Sequence, residues 1–62
     1  MPVISVDGPK VEDKNKKREF VEKVTRIAAD FYNLPEKSIV IMLKENNPDN
    51  VSVGGKLTSD KG

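Results

Sequence analysis

The chain has 62 residues, with eleven Lys and Arg against ten Asp and Glu, and it contains neither His nor Cys. This composition allows one small domain over residues 1–62 and excludes disulfides, thiolate metal sites and imidazole chemistry. A net charge of +1 argues against a dedicated nucleic-acid-binding protein, and the absence of a long apolar run predicts a cytoplasmic protein with no signal peptide and no membrane span.

The first predicted element is a short strand from Pro2 to Asp7. Its interior is rich in the β-branched residues that favour strands, namely Val3, Ile4 and Val6. The sequence Asp7-Gly8-Pro9-Lys10 that follows is typical of a turn and ends the strand.

Pro2 is a candidate functional residue because an initiator methionine that precedes proline is usually removed. Removal would turn the Pro2 nitrogen into a free secondary amine, and α-amino groups titrate near about 7.7–8.0. Desolvation or a neighbouring cation favours the neutral amine, which can act as a base. Proline at the second position is also common without any function, so this residue alone leaves both interpretations open.

The second predicted element is an amphipathic helix that ends at Tyr32. Asp13 is a good N-cap residue, and Asn33 followed by Pro35 is typical of a helix C-terminus. Between them, apolar residues recur at spacings of three and four and define one face of a helix: Phe20, Val21, Val24, Ile27, Ala28 and Phe31.

The third predicted element is a strand at Ile39–Leu43, which has five apolar residues in a row. Such a run requires cover on both faces of a sheet, and the single helix can cover only one. We therefore expect a homo-oligomer. The helix between the two strands predicts a β-α-β unit with parallel, right-handed pairing.

The C-terminal part is predicted to hold a turn, a small hairpin and a loose tail. The segment Asn46–Asn50 is rich in turn residues. Val51-Ser52-Val53 followed by Gly54-Gly55 is typical of a hairpin whose glycines adopt positive φ angles. Thr58–Gly62 is predicted to be a loose tail.

Charged side chains follow two patterns along the helix. Arg18, Glu22, Arg26 and Asp30 are spaced by four residues with alternating sign, which favours a solvated ion-pair ladder over a substrate clamp. Lys14, Lys16, Lys17 and Arg18 form a basic cluster, which is interpreted as a solvated charge run more readily than as an anion site.

Taken together, the Met1-Pro2 start, the β-α-β pattern and the segment Val51-Ser52-Val53-Gly54-Gly55-Lys56-Leu57 resemble the 4-oxalocrotonate tautomerase family, especially its short members labelled DmpI. The resemblance covers the whole chain and implies an α+β subunit assembled into dimers and higher homo-oligomers, in that family hexamers. It implies a cofactor-independent isomerase that binds no metal. Its substrate would be a small unsaturated keto or enol acid, and its general base would be Pro2 after Met1 removal.

The residues that support the base in the family do not all have counterparts here. For the arginine in the loop after the first strand, Lys10 is the nearest cationic substitute, although a gapless alignment gives Glu12. Val40 matches a second family arginine, and Val51 matches a family aromatic residue. We therefore expect Lys10 to bind the substrate carboxylate, and a substrate smaller or less charged than the family's dicarboxylate is equally compatible.

Two alternatives remain open from the sequence. A free Pro2 amine can also attack a carbonyl and form an iminium, which would be covalent catalysis. If Met1 is retained, the Pro2 nitrogen is an amide without useful basicity, and the chain would be a non-enzymatic oligomeric binding or scaffold protein.

Overall fold

The computed structural model describes residues 1–60, in which a β-α-β unit is followed by a small hairpin. The elements are β1 (Val3–Gly8), α1 (Lys14–Tyr32), β2 (Val40–Glu45), β3 (Ser52–Val53) and β4 (Lys56–Leu57), with 3₁₀ turns at Glu36–Ser38 and Pro48–Asn50. This order confirms the predicted α+β subunit with its C-terminal hairpin.

Strands β1 and β2 pair in parallel, with Val3 opposite Val40 and Gly8 opposite Glu45. The pairing continues beyond both strands. The Val40 amide donates to the Pro2 carbonyl at 3.0 Å, and the Asn46 amide donates to the Gly8 carbonyl at 2.8 Å. Because the strands run in the same direction, the start of both lies at one end of the sheet and the finish of both at the other.

Helix α1 begins and ends where the sequence predicts. The Asp13 carboxylate accepts from the Asn15 amide at 2.9 Å, which satisfies a donor that has no partner within the helix. Asn33 ends the helix in the left-handed conformation, with φ 55° and ψ 50°. An asparagine tolerates this region better than most residues, so the helix terminates without large backbone strain.

The helix covers one face of the sheet and leaves the other open. Among residues 1–60, only Ala28 and Ala29 are fully buried, at 5% and 7% exposure. On the opposite face of the sheet, Val3 and Met42 are each about half exposed. The prediction that a single helix cannot cover both faces of β2 agrees with this burial pattern.

The apolar face that the sequence predicts for α1 is wider than the sheet can cover. Val21, Val24 and Ala28 turn toward the sheet and are buried or half-buried. Ile27 and Phe31 lie beside them and are 69% and 79% exposed. These two side chains therefore form an uncovered apolar stripe on the flank of the helix.

The predicted ion-pair ladder on α1 does not form among the described residues. Arg18 donates instead to the Asn15 side chain at 2.8 Å, and the i, i+4 ion pair that forms on the helix joins Lys23 to Glu19 at 3.5 Å. Both partners of that pair are largely exposed, so its contribution to stability is small.

The hairpin turn is built from Gly54 and Gly55, whose φ angles of 60° and 85° confirm the predicted positive-φ turn. The predicted loose tail is wrong at Thr58 and at Asp60, whose amide donates to the Leu57 carbonyl at 2.9 Å. The Thr58 amide donates to the Val51 carbonyl at 2.8 Å, and its hydroxyl donates to the Pro48 carbonyl at 3.0 Å. The last two residues of that predicted tail, 61–62, lie outside the described part of the chain.

Candidate active site

Pro2 lies at the N-terminal end of the sheet, one residue before β1 begins. The residue is half-buried, and its carbonyl is held by the Val40 amide. Met1 projects into solvent with 87% exposure. Because the proline ring is rigid and its carbonyl is fixed to β2, a free nitrogen at this position would have a defined direction.

Lys10 lies in the loop between β1 and α1, at the other end of the sheet. Its ammonium group is 3.7 Å from a Glu12 carboxylate oxygen, and the two side chains are 67% and 85% exposed. An ion pair this exposed is weak. The Lys10 ammonium group is therefore accessible to an external anion.

A cavity of about 440 Å³ opens beside this loop, between the C-terminal ends of the strands and the first turns of α1. Val6, Phe20 and Leu43 supply its apolar wall, and Lys17 and Glu45 contribute polar groups. Pockets with a mainly apolar lining and a few polar groups are typical of small-molecule sites.

Glu45 is the most strongly connected side chain at this end of the sheet. One of its carboxylate oxygens, Oε2, accepts from the Val11 amide at 2.8 Å and lies 2.7 Å from the Lys17 ammonium nitrogen. The Lys17 hydrogen bond, followed by the Val11 amide, lowers the pKa of the Glu45 carboxyl below its ordinary value of 4.5. The carboxylate is therefore charged at neutral pH.

Within one chain, Pro2 and Lys10 lie at opposite ends of β1. The strand has six residues, and a rise of about 3.3 Å per residue separates its ends by about 20 Å. A small unsaturated acid is shorter than this distance. The same molecule therefore cannot contact both residues of one chain at once.

The other two positions considered in the sequence divide between the same two ends. Val40 is opposite Val3 and adjoins Pro2. Val51 lines a second, smaller cavity together with Gly8 and Pro9. Gly8 and Pro9 immediately precede Lys10 in the sequence. One end of the sheet therefore holds Pro2 and Val40, and the other holds Lys10 and Val51.

Sequence reasoning missed the pairing of Lys17 with Glu45. The basic cluster predicts a solvated charge run that includes Lys17, and no sequence pattern singles out Glu45. A usable signal was present, because Glu45 ends a strand parallel to β1. Its side chain therefore had to lie at the same end of the sheet as the loop after Gly8.

Within residues 1–60, no helix is both long and apolar enough to cross a membrane. The same residues contain no cluster of three or more Asp or Glu side chains arranged to hold a metal ion.

Comparisons with known proteins identify relatives over nearly the whole chain. The family model described as "Tautomerase enzyme" matches residues 2–61. A 2-hydroxymuconate tautomerase of Bacillus subtilis (strain 168) is 33% identical over 60 residues, which is 97% of each chain.

Solved structures agree with these sequence relatives. The crystal structure of DmpI from Archaeoglobus fulgidus is 49% identical, with a TM-score of 0.85, over 95% of this chain and all of that one. A 4-oxalocrotonate tautomerase homologue is 32% identical, with a TM-score of 0.89, over all of this chain and 98% of that one.

Proposed function

The chain belongs to the tautomerase family, and we propose that it is an isomerase whose general base is the Pro2 amine, freed by removal of Met1. Family membership supports an isomerase-type enzyme. The observation that carries the assignment to Pro2 is its place immediately before β1, where the Val40 amide fixes its carbonyl. We further propose that residues 1–62 form a single tautomerase-like domain.

The proposed reaction moves one proton along a conjugated acid. The neutral Pro2 nitrogen takes the proton from the hydroxyl of a 2-hydroxy-dienoate as the carbon–oxygen double bond forms. The electron pairs of the diene shift along the chain, and the protonated amine returns the proton to a carbon further along. No electron acceptor or cofactor is required, since atoms and electrons balance within the substrate.

Lys10 is the residue we propose for binding the substrate carboxylate. Its ammonium group is accessible and is held only by a weak pair with Glu12. A lysine binds a carboxylate as a point charge, without the two-pronged geometry of arginine. Since Val40 and Val51 supply no charge, a substrate smaller or less charged than a dicarboxylate also fits this arrangement.

We propose that the active form is a homo-oligomer, in keeping with the hexamers that the family resemblance implies. The subunit has an accessible surface of 5244 Å², whereas a folded monomer of 6.9 kDa exposes about 4000 Å². Its radius of gyration is 15.0 Å, against about 11 Å for a globular chain of this length. The open sheet face and the apolar stripe on α1 supply surfaces that a second copy can cover. We place this assembly in the cytoplasm.

The state of the N-terminus tests the mechanism directly. Intact mass will establish whether Met1 is absent, and an assay on a 2-hydroxy-dienoate will measure turnover in the same sample. We expect activity only where the Pro2 nitrogen is free, and complete loss after chemical acylation of that amine. Full activity in a sample that uniformly retains Met1 would refute the mechanism and favour another site.

Two further measurements separate the alternatives. Treatment with a hydride reductant in the presence of a keto acid traps an iminium as a stable adduct, whereas a general base leaves none. Light scattering at micromolar concentration reports assembly, and a well-folded monomer would refute the oligomer. If a sample that lacks Met1 assembles but shows no turnover, the result would favour the alternative that the chain is a non-enzymatic binding or scaffold protein.

A further inference from the structure

Between its two ends, the loop that carries Lys10 is fixed to the strands by one side chain. This segment, residues 9–13, is named here the Lys10 loop. The Val11 amide donates to the Glu45 carboxylate at 2.8 Å, a hydrogen bond that spans 34 residues of sequence. Among residues 1–60, no other side-chain hydrogen bond joins the Lys10 loop to a strand.

Both ends of the Lys10 loop are held by ordinary secondary structure. Before the loop, the Gly8 carbonyl accepts from the Asn46 amide at 2.8 Å. After it, Asp13 caps the helix. Lys10 itself has only its exposed pair with Glu12. The position of the Lys10 backbone therefore depends on the bond at the neighbouring residue, Val11.

We propose that Glu45 is a positioning residue for Lys10, because its carboxylate anchors the Lys10 loop and so decides where the substrate-binding ammonium group is presented. This inference rests on the proposed role of Lys10. In this role Glu45 acts through the Val11 amide, and Lys17 in turn acts through Glu45.

Lys17 and the Val11 amide contact the same acceptor atom, and their roles differ. Both bond to the same oxygen of Glu45, Oε2. Lys17 and Glu45 are about 30% exposed at their side chains, so the pair is partly shielded from water. The Lys17 ammonium group neutralises the carboxylate and limits the rotamers that it can adopt, which keeps the oxygen beside the Val11 amide.

The first experiment measures the anchor without any reaction. Amide hydrogen exchange at Val11 is followed by NMR in the full-length protein and in variants. Glu45→Ala removes the acceptor, and we expect Val11 exchange to accelerate about tenfold or more. Glu45→Gln keeps an acceptor oxygen, and Lys17→Met keeps the carboxylate, so each should show a smaller acceleration. Glu19→Ala, which breaks the exposed pair with Lys23, is the matched control and should leave Val11 unchanged.

The second experiment measures anion binding with fumarate, an unsaturated dicarboxylate that has no enol proton to transfer. Lys10→Ala and Glu45→Ala should each raise the Kd for fumarate, the latter on the order of three- to tenfold. The double variant should bind no more weakly than Lys10→Ala alone, because Glu45 acts through Lys10. Glu45→Gln should restore part of the affinity, and in turnover assays Glu45→Ala should raise KM with little change in kcat.

The outcomes separate this inference from the proposed function. Two results would overturn the role of Glu45 and leave the tautomerase mechanism intact. One is an unchanged exchange rate at Val11 in Glu45→Ala. The other is full additivity of the losses in fumarate affinity caused by Lys10→Ala and Glu45→Ala. A different result is also possible, in which the protein shows no turnover but Lys10→Ala and Glu45→Ala still have non-additive effects on fumarate binding. That result would overturn the proposed reaction and support the role of Glu45 as an anchor. If Glu45→Ala does not fold, Glu45→Gln and Lys17→Met carry the same comparison.

Discussion

The two ends of the β1–β2 sheet are held by different kinds of contact. At the start of the strands, Pro2 adjoins the aliphatic residues Val3 and Val40, and the main-chain bond between Pro2 and Val40 fixes its position. At the finish of the strands, an ion pair and a hydrogen bond centre on Glu45 beside a cavity with an apolar wall. Aliphatic neighbours favour a neutral amine, and exposed ammonium groups suit the binding of an anion. This difference agrees with the roles proposed for Pro2 and Lys10.

This contrast explains why the single subunit is incomplete. The base and the anion-binding cation that the proposed reaction needs are about 20 Å apart in one chain. In a two-fold dimer whose β1 strands run antiparallel, the Pro2 end of one copy lies beside the Lys10 end of the other. We therefore propose a site shared between copies, in which oligomerisation would serve the reaction as well as stability.

The largest effect is expected at the apolar end. Pro2→Ala keeps a free amine but loses the rigid ring. The variant therefore still has a base, but the orientation of its nitrogen is no longer fixed. Positioned acid–base catalysis contributes about 10²–10⁴-fold, and we expect kcat/KM to fall within that range. Circular dichroism and light scattering serve as controls for folding and assembly. An unchanged kcat/KM in a correctly assembled variant would show that the Pro2 nitrogen does not perform the chemistry.

A smaller and different effect is expected at the polar end. Lys10→Ala removes a charge that binds the carboxylate equally in the ground state and the transition state. KM should therefore rise about tenfold while kcat changes little. Lys14→Ala removes a neighbouring charge at the helix start and is the matched control. An unchanged KM for Lys10→Ala would assign carboxylate binding to another cation, with Lys44 or an arginine of a neighbouring subunit the next candidates.

Mixing the two variants tests whether the ends combine between copies. When Pro2→Ala and Lys10→Ala chains are unfolded and refolded together, half of the dimers are mixed, and each mixed dimer contains one site with both native residues. About a quarter of all sites are then intact. At low substrate concentration, we expect the mixture to be several times more active than the mean of its parents. Activity equal to that mean would show that a site does not combine Pro2 of one chain with Lys10 of another.

Much of this fold is predictable from local sequence signals, because each element has its own. The cap at Asp13 and the left-handed Asn33 bound the helix, and the paired glycines specify the hairpin turn. The placement of Pro2 ahead of β1 follows from the same local signals. These features depend on neighbours in sequence, so a pattern of adjacent residues is sufficient to predict them.

The contacts that join distant segments are not predictable in the same way. Glu45 meets Val11 across 34 residues, and only the parallel register brings them together. The sequence predicts a loose tail at Thr58 because its partners, Pro48 and Val51, are not its neighbours in sequence. Ile27 and Phe31, which form the exposed stripe, fit the spacing of apolar residues on one helix face. That spacing does not predict how much of the face the sheet covers.

The smallest expected effect concerns acid stability at the polar end. Lys17 and the Val11 amide lower the pKa of the Glu45 carboxyl in the folded chain, so the unfolded chain takes up the proton first as the pH falls. Glu45 therefore stabilises the fold above about pH 4.5, and this contribution is lost as the pH falls through the lower, folded value.

Urea unfolding of the native protein and of Glu45→Gln, at a fixed protein concentration, should show this difference. Near neutral pH the native protein should unfold at the higher urea concentration, and the difference between the two midpoints should narrow as the pH is lowered below about 4.5. Glu19→Gln, which alters an exposed pair on α1, is the control and should follow the native curve. A difference that stays constant with pH would mean that Glu45 acts through packing alone. The charge of Glu45, which distinguishes this end of the sheet, would then make no measurable contribution to the free energy of unfolding.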